Sequence, residues 1–108
     1  MSKVDQIVAI VDDTEHILVK GVDFGKGART IVASVQCLVP GASVEVRLDS
    51  KDGPLAGRLE LSAKDSKFAE RRISLKGAKG VRDLYFVFRS REPGGKDLLK
   101  LDWWKGTK

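Results

Sequence analysis

Three acidic residues and the only histidine stand together near the amino terminus, and their types could support acid–base chemistry. Asp12, Asp13 and Glu15 precede His16 in a short polar segment. Paired carboxylates catalyse glycoside hydrolysis when a deep cleft holds them roughly 5–10 Å apart across the sugar. Adjacent acids in a turn do not provide that geometry, so we interpret them as solvated turn residues.

A single cysteine and a single histidine restrict the remaining chemistry. Cys37 excludes an internal disulfide and a cysteine-based zinc site, and a lone histidine excludes sites with several histidine ligands. Cys37 alternates with Ile31, Ala33 and Val35, so we expect it to be a core residue and not a nucleophile. These features predict that the protein is not an enzyme.

Length and charge limit the partners. The chain has 108 residues, is 42% apolar and carries a net charge of +5. This length fits one domain over residues 1–108, and the apolar stretches are far shorter than the ~20 residues of a membrane span. Most of the positive charge follows residue 65, but it is scattered and lacks the stacking aromatics of RNA-binding sheets. We therefore expect neither a membrane nor a nucleic acid as the partner.

Alternation of apolar and polar residues is the dominant pattern, and it indicates strands with one buried face. Residues 43–48 show it most clearly, and 30–37 and 58–61 follow it. The almost continuously apolar segment 83–88 is typical of a central strand covered on both faces. Further strands are expected at 4–11, 15–23 and 98–104.

Turn-forming residues separate these segments every ten to fifteen residues. The turns are expected at 25–27, 39–41, 49–54, 77–80 and 93–95. About eight short strands at this spacing predict an all-β sandwich or barrel. No segment has the pattern of a long amphipathic helix, and the glycine pairs do not form a phosphate-binding motif.

Four motifs follow one another in a specific order. They are Gly-Val-Asp-Phe-Gly at 21–25, Val-Glu-Val-Arg-Leu-Asp-Ser at 44–50, Gly-Val-Arg-Asp-Leu-Tyr-Phe-Val-Phe at 80–88 and Leu-Lys-Leu-Asp-Trp-Trp at 99–104. In this order, over about residues 8–105, the chain resembles the family 6 carbohydrate-binding modules. The resemblance implies an antiparallel jelly-roll β-sandwich of about eight strands. It also implies a non-catalytic, extracellular module attached to a hydrolase of plant polysaccharides.

The resemblance implies binding of xylan or a β-glucan in a cleft at one edge of the sandwich. Two aromatic rings clasp a sugar there and an asparagine donates hydrogen bonds. At the three corresponding positions this chain has Ile10, Asp65 and Lys100, while His16 stands at a tryptophan position of the family. Asp65, Lys100 and His16 are therefore candidate sugar contacts.

Aromatic residues near the carboxyl terminus offer further contacts. Tyr85 is expected on the outer face of a sheet with Glu45 and Arg47, a face on which some modules of the family bind sugar; alternatively its ring caps the core. Trp103 and Trp104 lie on opposite faces of one strand, so one belongs to the core. The sequence does not distinguish them, and Trp104 is included among the candidate sugar contacts.

Asp102 is the candidate metal ligand. The resemblance implies a structural calcium ion shared between the aspartate at this position and glutamates of an amino-terminal strand, but no counterpart of that strand precedes Val8. Calcium takes six or more oxygen ligands, so Asp102 alone does not form a site. The missing strand also leaves a sheet edge, which predicts edge pairing in a homodimer as a hypothesis.

The function predicted first is a carbohydrate-binding module that holds its parent hydrolase near polysaccharide by raising the effective concentration. One alternative is a structural β-sandwich that packs against a neighbouring domain or its own copy and has lost sugar binding. Another is a binder of anionic glycans or nucleic acid that uses Lys67, Arg71 and Lys100.

Overall fold

Two antiparallel sheets account for the regular structure. The computed structural model describes residues 4–27, 30–62, 67, 69–91 and 95–107, and this part contains eight strands. The strands are β1 Val4–Val11, β2 His16–Asp23, β3 Thr30–Cys37, β4 Ser43–Leu48, β5 Leu55–Glu60, β6 Ala69–Ser74, β7 Val81–Arg89 and β8 Leu99–Thr107. The first sheet has the order β1-β8-β3-β6 and the second has the order β2-β7-β4-β5.

The predicted all-β antiparallel sandwich of about eight strands is confirmed. Among the described residues, no helical segment has the length and apolar character that a membrane span requires. That residues 1–108 form a single domain stays a prediction.

The core lies between the central strands of the two sheets. On β8 the inward residues are Leu99, Leu101 and Trp104, and on β7 they include Phe86 and Phe88; all are buried. The rings of Phe86 and Trp104 meet edge to face with their centroids 5.6 Å apart, which joins the two sheets. Burying each such side chain contributes about 1.5–3 kcal/mol, so this contact region supplies much of the stability. Cys37 is also buried, as expected.

A bulge in β8 decides which tryptophan is in the core. Leu101 lies opposite Val35 and Trp103 lies opposite Ser34, so Asp102 is an extra residue between them. Such an insertion exchanges the faces of the residues that follow it. Trp104 therefore turns inward and is only 2% exposed, while Trp103 turns outward, with Lys105 Nζ 5.8 Å from its ring centroid.

The prediction that Trp104 contacts a sugar is consequently wrong. A ring that is buried in the core has no free face on which a sugar could stack. Its indole Nε1 has no hydrogen-bond partner among the described residues, so packing alone holds the ring.

Residues of the recognised motifs join the turns at one end of the second sheet. Asp49, which follows β4, has a positive φ of 71°, and its N–H donates to the carbonyl oxygen of Asp83 at 2.9 Å. Its carboxylate accepts hydrogen bonds from Arg82 Nε at 2.9 and 3.1 Å. Asp83 Oδ1 in turn accepts from the Gly21 N–H at 3.0 Å. The hydrogen bond from Arg82 lowers the pKa of Asp49.

Replacing the inward tryptophan should be far more costly than replacing its outward neighbour. Trp104→Ala is expected to lower the free energy of unfolding by about 3–5 kcal/mol, because it empties the contact between the sheets. Trp103→Ala should cost clearly less. Urea unfolding followed by circular dichroism measures both values. Equal losses, or a greater loss for Trp103→Ala, would contradict the assignment of the two faces.

Asp49→Asn should reduce stability at neutral pH and have less effect as the pH falls. The folded-state pKa of Asp49 is depressed, so its carboxylate stabilises the fold above the unfolded pKa of about 4 and loses this effect as the pH falls through the folded value. Asparagine also tolerates a positive φ, so the variant removes mainly the charge. Urea midpoints of both proteins across the acid range test this; a difference that does not shrink in acid would disagree.

The proposed edge pairing also has a direct test. Within the described residues, the outer strands are β1 and β6 of the first sheet and β2 and β5 of the second. An open edge can pair with a second copy through its free backbone groups. Sedimentation velocity over a wide concentration range should reveal a dimer if this pairing occurs. A single monomeric species at the highest concentration would remove the hypothesis.

Candidate functional site

Two rings lie side by side on the outer face of the second sheet. His16 on β2 is opposite Val87 of β7, and Leu18 is opposite Tyr85, so His16 and Tyr85 are diagonal neighbours. Their ring centroids are 5.6 Å apart and the rings are inclined at 45°. Leu18 beside them is 37% exposed. This arrangement exposes aromatic and apolar surface to solvent at the middle of the sheet.

Fixed charges adjoin these rings on the next strand, β4. Glu45 is opposite Val87, and Arg47 is opposite Tyr85. Glu45 Oε1 accepts hydrogen bonds from Arg47 Nε at 3.1 Å and from Arg89 Nε at 3.4 Å. Arg47 Nη1 also donates to the carbonyl oxygen of Gly53 at 2.8 Å. These contacts hold the carboxylate and both guanidinium groups in place although the sheet face is open.

We call this surface the Tyr85 face and define it by residues His16, Leu18, Tyr85, Glu45 and Arg47; Val87, between His16 and Glu45 on the sheet, is buried. It combines the two features that sugar recognition needs. A pyranose ring has apolar C–H groups that pack on an aromatic ring, and its hydroxyls need polar partners in fixed positions. Hydrogen bonds to charged groups are stronger than neutral ones, so Glu45 and Arg47 are suited to hold hydroxyls.

Two of the three positions that the resemblance assigns to the edge cleft lie on strands of the first sheet. Ile10 on β1 is directly opposite Lys100 on β8, so these two are neighbours, as the resemblance implies. Lys100 is also opposite Gln36 of β3 and lies between two inward leucines, which places it on the outer face of the first sheet. Asp65 lies outside the described residues. Lys100 and Tyr85 therefore belong to different surfaces.

Of the predicted sugar contacts, the structure brings together only His16 and Tyr85. Trp104 is in the core, Lys100 is on the opposite sheet and Asp65 is not described. Whether any of them contacts a sugar stays a prediction, except for Trp104, whose burial excludes it.

Asp102 is the half-buried bulge residue of β8. Within the described ranges, no three His, Cys, Asp or Glu residues gather where they could share an ion. A calcium ion prefers several carboxylate and carbonyl oxygens, so the described carboxylates do not fit it. Asp102 as a calcium ligand stays a prediction.

The carboxylates of the turn between β1 and β2 accept hydrogen bonds from backbone groups. Glu15 Oε1 accepts from the Asp12 N–H at 2.7 Å, and Asp13 Oδ1 accepts from the Ser90 N–H at 2.9 Å. Asp12 Oδ1 accepts from the Asp97 N–H at 2.8 Å. These contacts tie the turn to the loop after β7, which gives the acidic cluster a structural role.

Sequence reasoning missed an open groove of about 470 Å³ at the end of the second sheet. It is lined by Gly41, Ser43, Arg58, Glu60, Leu61, Ser62, Arg89, Ser90 and Arg91. Ser43 is opposite both Glu60 and Arg89, so strands β4, β5 and β7 bring distant residues together here. From the sequence, the groove could have been inferred only if the pairing of β4 with β5 and β7 had been known together with the outward residues of these strands. Because Arg89 contacts Glu45, this arginine groove adjoins the Tyr85 face.

Comparison with known proteins identifies the family. The model of the carbohydrate-binding modules of family 6 matches residues 2–108. The chain belongs to this family. It is 36% identical over 106 residues to an arabinoxylan arabinofuranohydrolase of Bacillus subtilis (strain 168), which covers 95% of this chain and 20% of that protein. The chain thus spans about a fifth of the length of this relative.

Solved structures agree with the assignment. A glycoside hydrolase family 43 arabinoxylan arabinofuranohydrolase from Bacillus subtilis, in complex with cellotetraose, matches with a TM-score of 0.78 and 35% identity, covering 89% of this chain and 20% of that one. A family 6 module from Clostridium cellulolyticum, in complex with xylose, shares the fold with a TM-score of 0.80 and 24% identity, covering 99% of this chain and 88% of that one. The resemblance drawn from the motifs is confirmed.

Proposed function

We propose that this chain is a non-catalytic module that binds xylan or a β-glucan through the Tyr85 face. The observation that carries this proposal is the pair of rings of His16 and Tyr85 next to the hydrogen-bonded Glu45 and Arg47. The rings would pack on the C–H face of a sugar, and the fixed charges would hold its hydroxyls. Related proteins in complex with cellotetraose and xylose support a neutral glycan as the ligand.

Residue chemistry favours this face over the edge cleft. Where the resemblance implies an aromatic ring and an asparagine, this chain has Ile10 and Lys100. An aliphatic side chain has no π-surface, and an ammonium group donates hydrogen bonds but accepts none. At these two positions the chain therefore departs from the groups that the resemblance assigns to sugar binding, whereas the Tyr85 face carries two rings beside hydrogen-bonded charges.

The non-catalytic role is supported by the positions of the acidic side chains. Asp12, Asp13 and Glu15 accept hydrogen bonds from backbone N–H groups in a turn. Glu45 is 8% exposed and forms ion pairs with two arginines. Neither arrangement offers two facing carboxylates across a cleft, which glycoside hydrolysis needs.

A parent hydrolase would use the module to stay on its substrate. The chain matches part of two longer arabinoxylan arabinofuranohydrolases, from Bacillus subtilis and Paenibacillus polymyxa. We infer the same context here: a domain appended to a secreted glycoside hydrolase that acts on plant polysaccharide outside the cell. Tethering would raise the effective concentration of substrate at the catalytic domain without any chemistry in the module.

Tyr85→Ala should weaken binding of xylo- or cello-oligosaccharides by about tenfold or more, because a central aromatic contact is lost. Isothermal titration calorimetry measures the dissociation constants. The control is Trp103→Ala, which removes an outward ring from the first sheet and should leave the affinity unchanged. Circular dichroism confirms that both variants are folded.

Each contrary result has a distinct meaning. Loss of affinity in Trp103→Ala with none in Tyr85→Ala would move the site to the first sheet. Failure of the folded wild type to bind any glycan, neutral or acidic, would reject sugar binding and favour the structural β-sandwich. Release of sugar from a glycoside by the isolated chain would overturn the non-catalytic role.

A further inference from the structure

We propose that the arginine groove binds a carboxylate group carried by the glycan, so that the module prefers a xylan with uronic acid side groups. This inference rests on the proposed function, because it assumes that the main chain of the glycan lies on the adjoining Tyr85 face. The groove and that face share the Arg89–Glu45 contact. A neutral main chain and its acidic substituent would therefore be held by neighbouring surfaces.

The groove has an excess of positive charge. Three guanidinium groups line it, from Arg58, Arg89 and Arg91, against the single carboxylate of Glu60. Arg58 Nη2 is 3.3 Å from Glu60 Oε1, so the negative charge of Glu60 offsets the positive charge of Arg58. Arg89 contacts Glu45 Oε1, an oxygen that Arg47 already uses. One carboxylate cannot neutralise two guanidinium groups, so Arg89 keeps much of its attraction for an anion.

Arg91 is the most available of the three. It is exposed, and it is absent from the ion pairs that the described ranges of the chain form. Its side chain lies against Gly41, where an added Cβ would come within 3.0 Å of Arg91 Nε. Gly41 also has a φ of +89°, a conformation that favours glycine. The glycine therefore lets the guanidinium rest at the wall of the groove, where it can meet a ligand.

The chemistry of the lining fits an acidic sugar better than a phosphate chain. A planar guanidinium matches a carboxylate with two parallel hydrogen bonds. The residues Ser43, Ser62 and Ser90 place hydroxyl-bearing side chains around the same groove, which suits a polyhydroxylated ring. Glu60 would repel the dense charge of a polyphosphate more than a single carboxylate.

Size and position agree with a side group on a longer chain. The groove, at about 470 Å³, lies in the range of small-ligand sites. Tyr85 and Arg89 are four residues apart on one strand, or about 14 Å. A glycan lying on the Tyr85 face could thus place a substituent in the groove without leaving the sheet.

The test compares a uronic-acid-bearing xylan with the same polysaccharide after its carboxyl groups are reduced to alcohols. At low ionic strength the wild type should bind the acidic form about three- to tenfold more tightly, since a partly exposed charge pair contributes modestly. Added salt should diminish this preference. Affinity electrophoresis or calorimetry gives the ratio of the two dissociation constants.

Arg91→Gln and Arg58→Gln should bring that ratio towards one while binding of the reduced xylan stays unchanged. The matched control is Arg72→Gln, which removes the same charge from exposed β6 of the first sheet and should keep the wild-type ratio.

Equal binding of both xylans by the wild type, or an unchanged ratio in both groove variants, would overturn this inference alone. Absence of binding to either xylan would also overturn this inference, and absence of binding to β-glucan as well would overturn the proposed function. Tighter binding of DNA than of acidic xylan would identify a polyphosphate site instead.

Discussion

Contact between the inner faces of β7 and β8 determines which side chains of these strands face the core and which face solvent. Phe86, Phe88, Leu101 and Trp104 belong to one buried cluster, and the edge-to-face contact of Phe86 with Trp104 joins the two sheets. Side chains alternate along a strand, so fixing the inward residues also fixes the outward ones. Tyr85 faces solvent because its neighbour Phe86 is in the core.

The fold could be predicted because this alternation is visible in the sequence. Segments 30–37 and 43–48 became β3 and β4 with the bounds that the pattern indicated. By contrast, β6 was not identified, since it is an edge strand in which only Ile73 is buried. The motifs were informative because some of their residues are structural. Asp49 has a positive φ, and its carboxylate accepts a hydrogen bond from Arg82, so it stabilises a turn. The presence of such a residue indicates the fold and not the ligand.

Less of the candidate site could be predicted, for two physical reasons. The faces of Trp103 and Trp104 depend on the bulge at Asp102, and a bulge has no signature in an apolar–polar pattern. The arginine groove depends on strand pairing: Arg58 and Arg91 are 33 positions apart in the chain and meet only because β5 and β7 both flank β4. Tyr85 could be assigned to the outer face because successive side chains of a strand point to opposite faces, and its neighbours Leu84 and Phe86 are both in the core.

Because core and surface residues occupy opposite faces of each strand, surface residues that contact a ligand can change without loss of the fold. Substitution of an outward residue usually changes stability by less than about 0.5 kcal/mol, whereas loss of a large core side chain costs about 3–5 kcal/mol. Lys100, on the outer face, can therefore stand where the resemblance implies an asparagine while the sandwich is preserved. A scaffold of this kind can change its ligand by altering which outward surface carries rings and charges. In this chain, the paired rings of His16 and Tyr85 lie on the second sheet, next to a groove with three arginines.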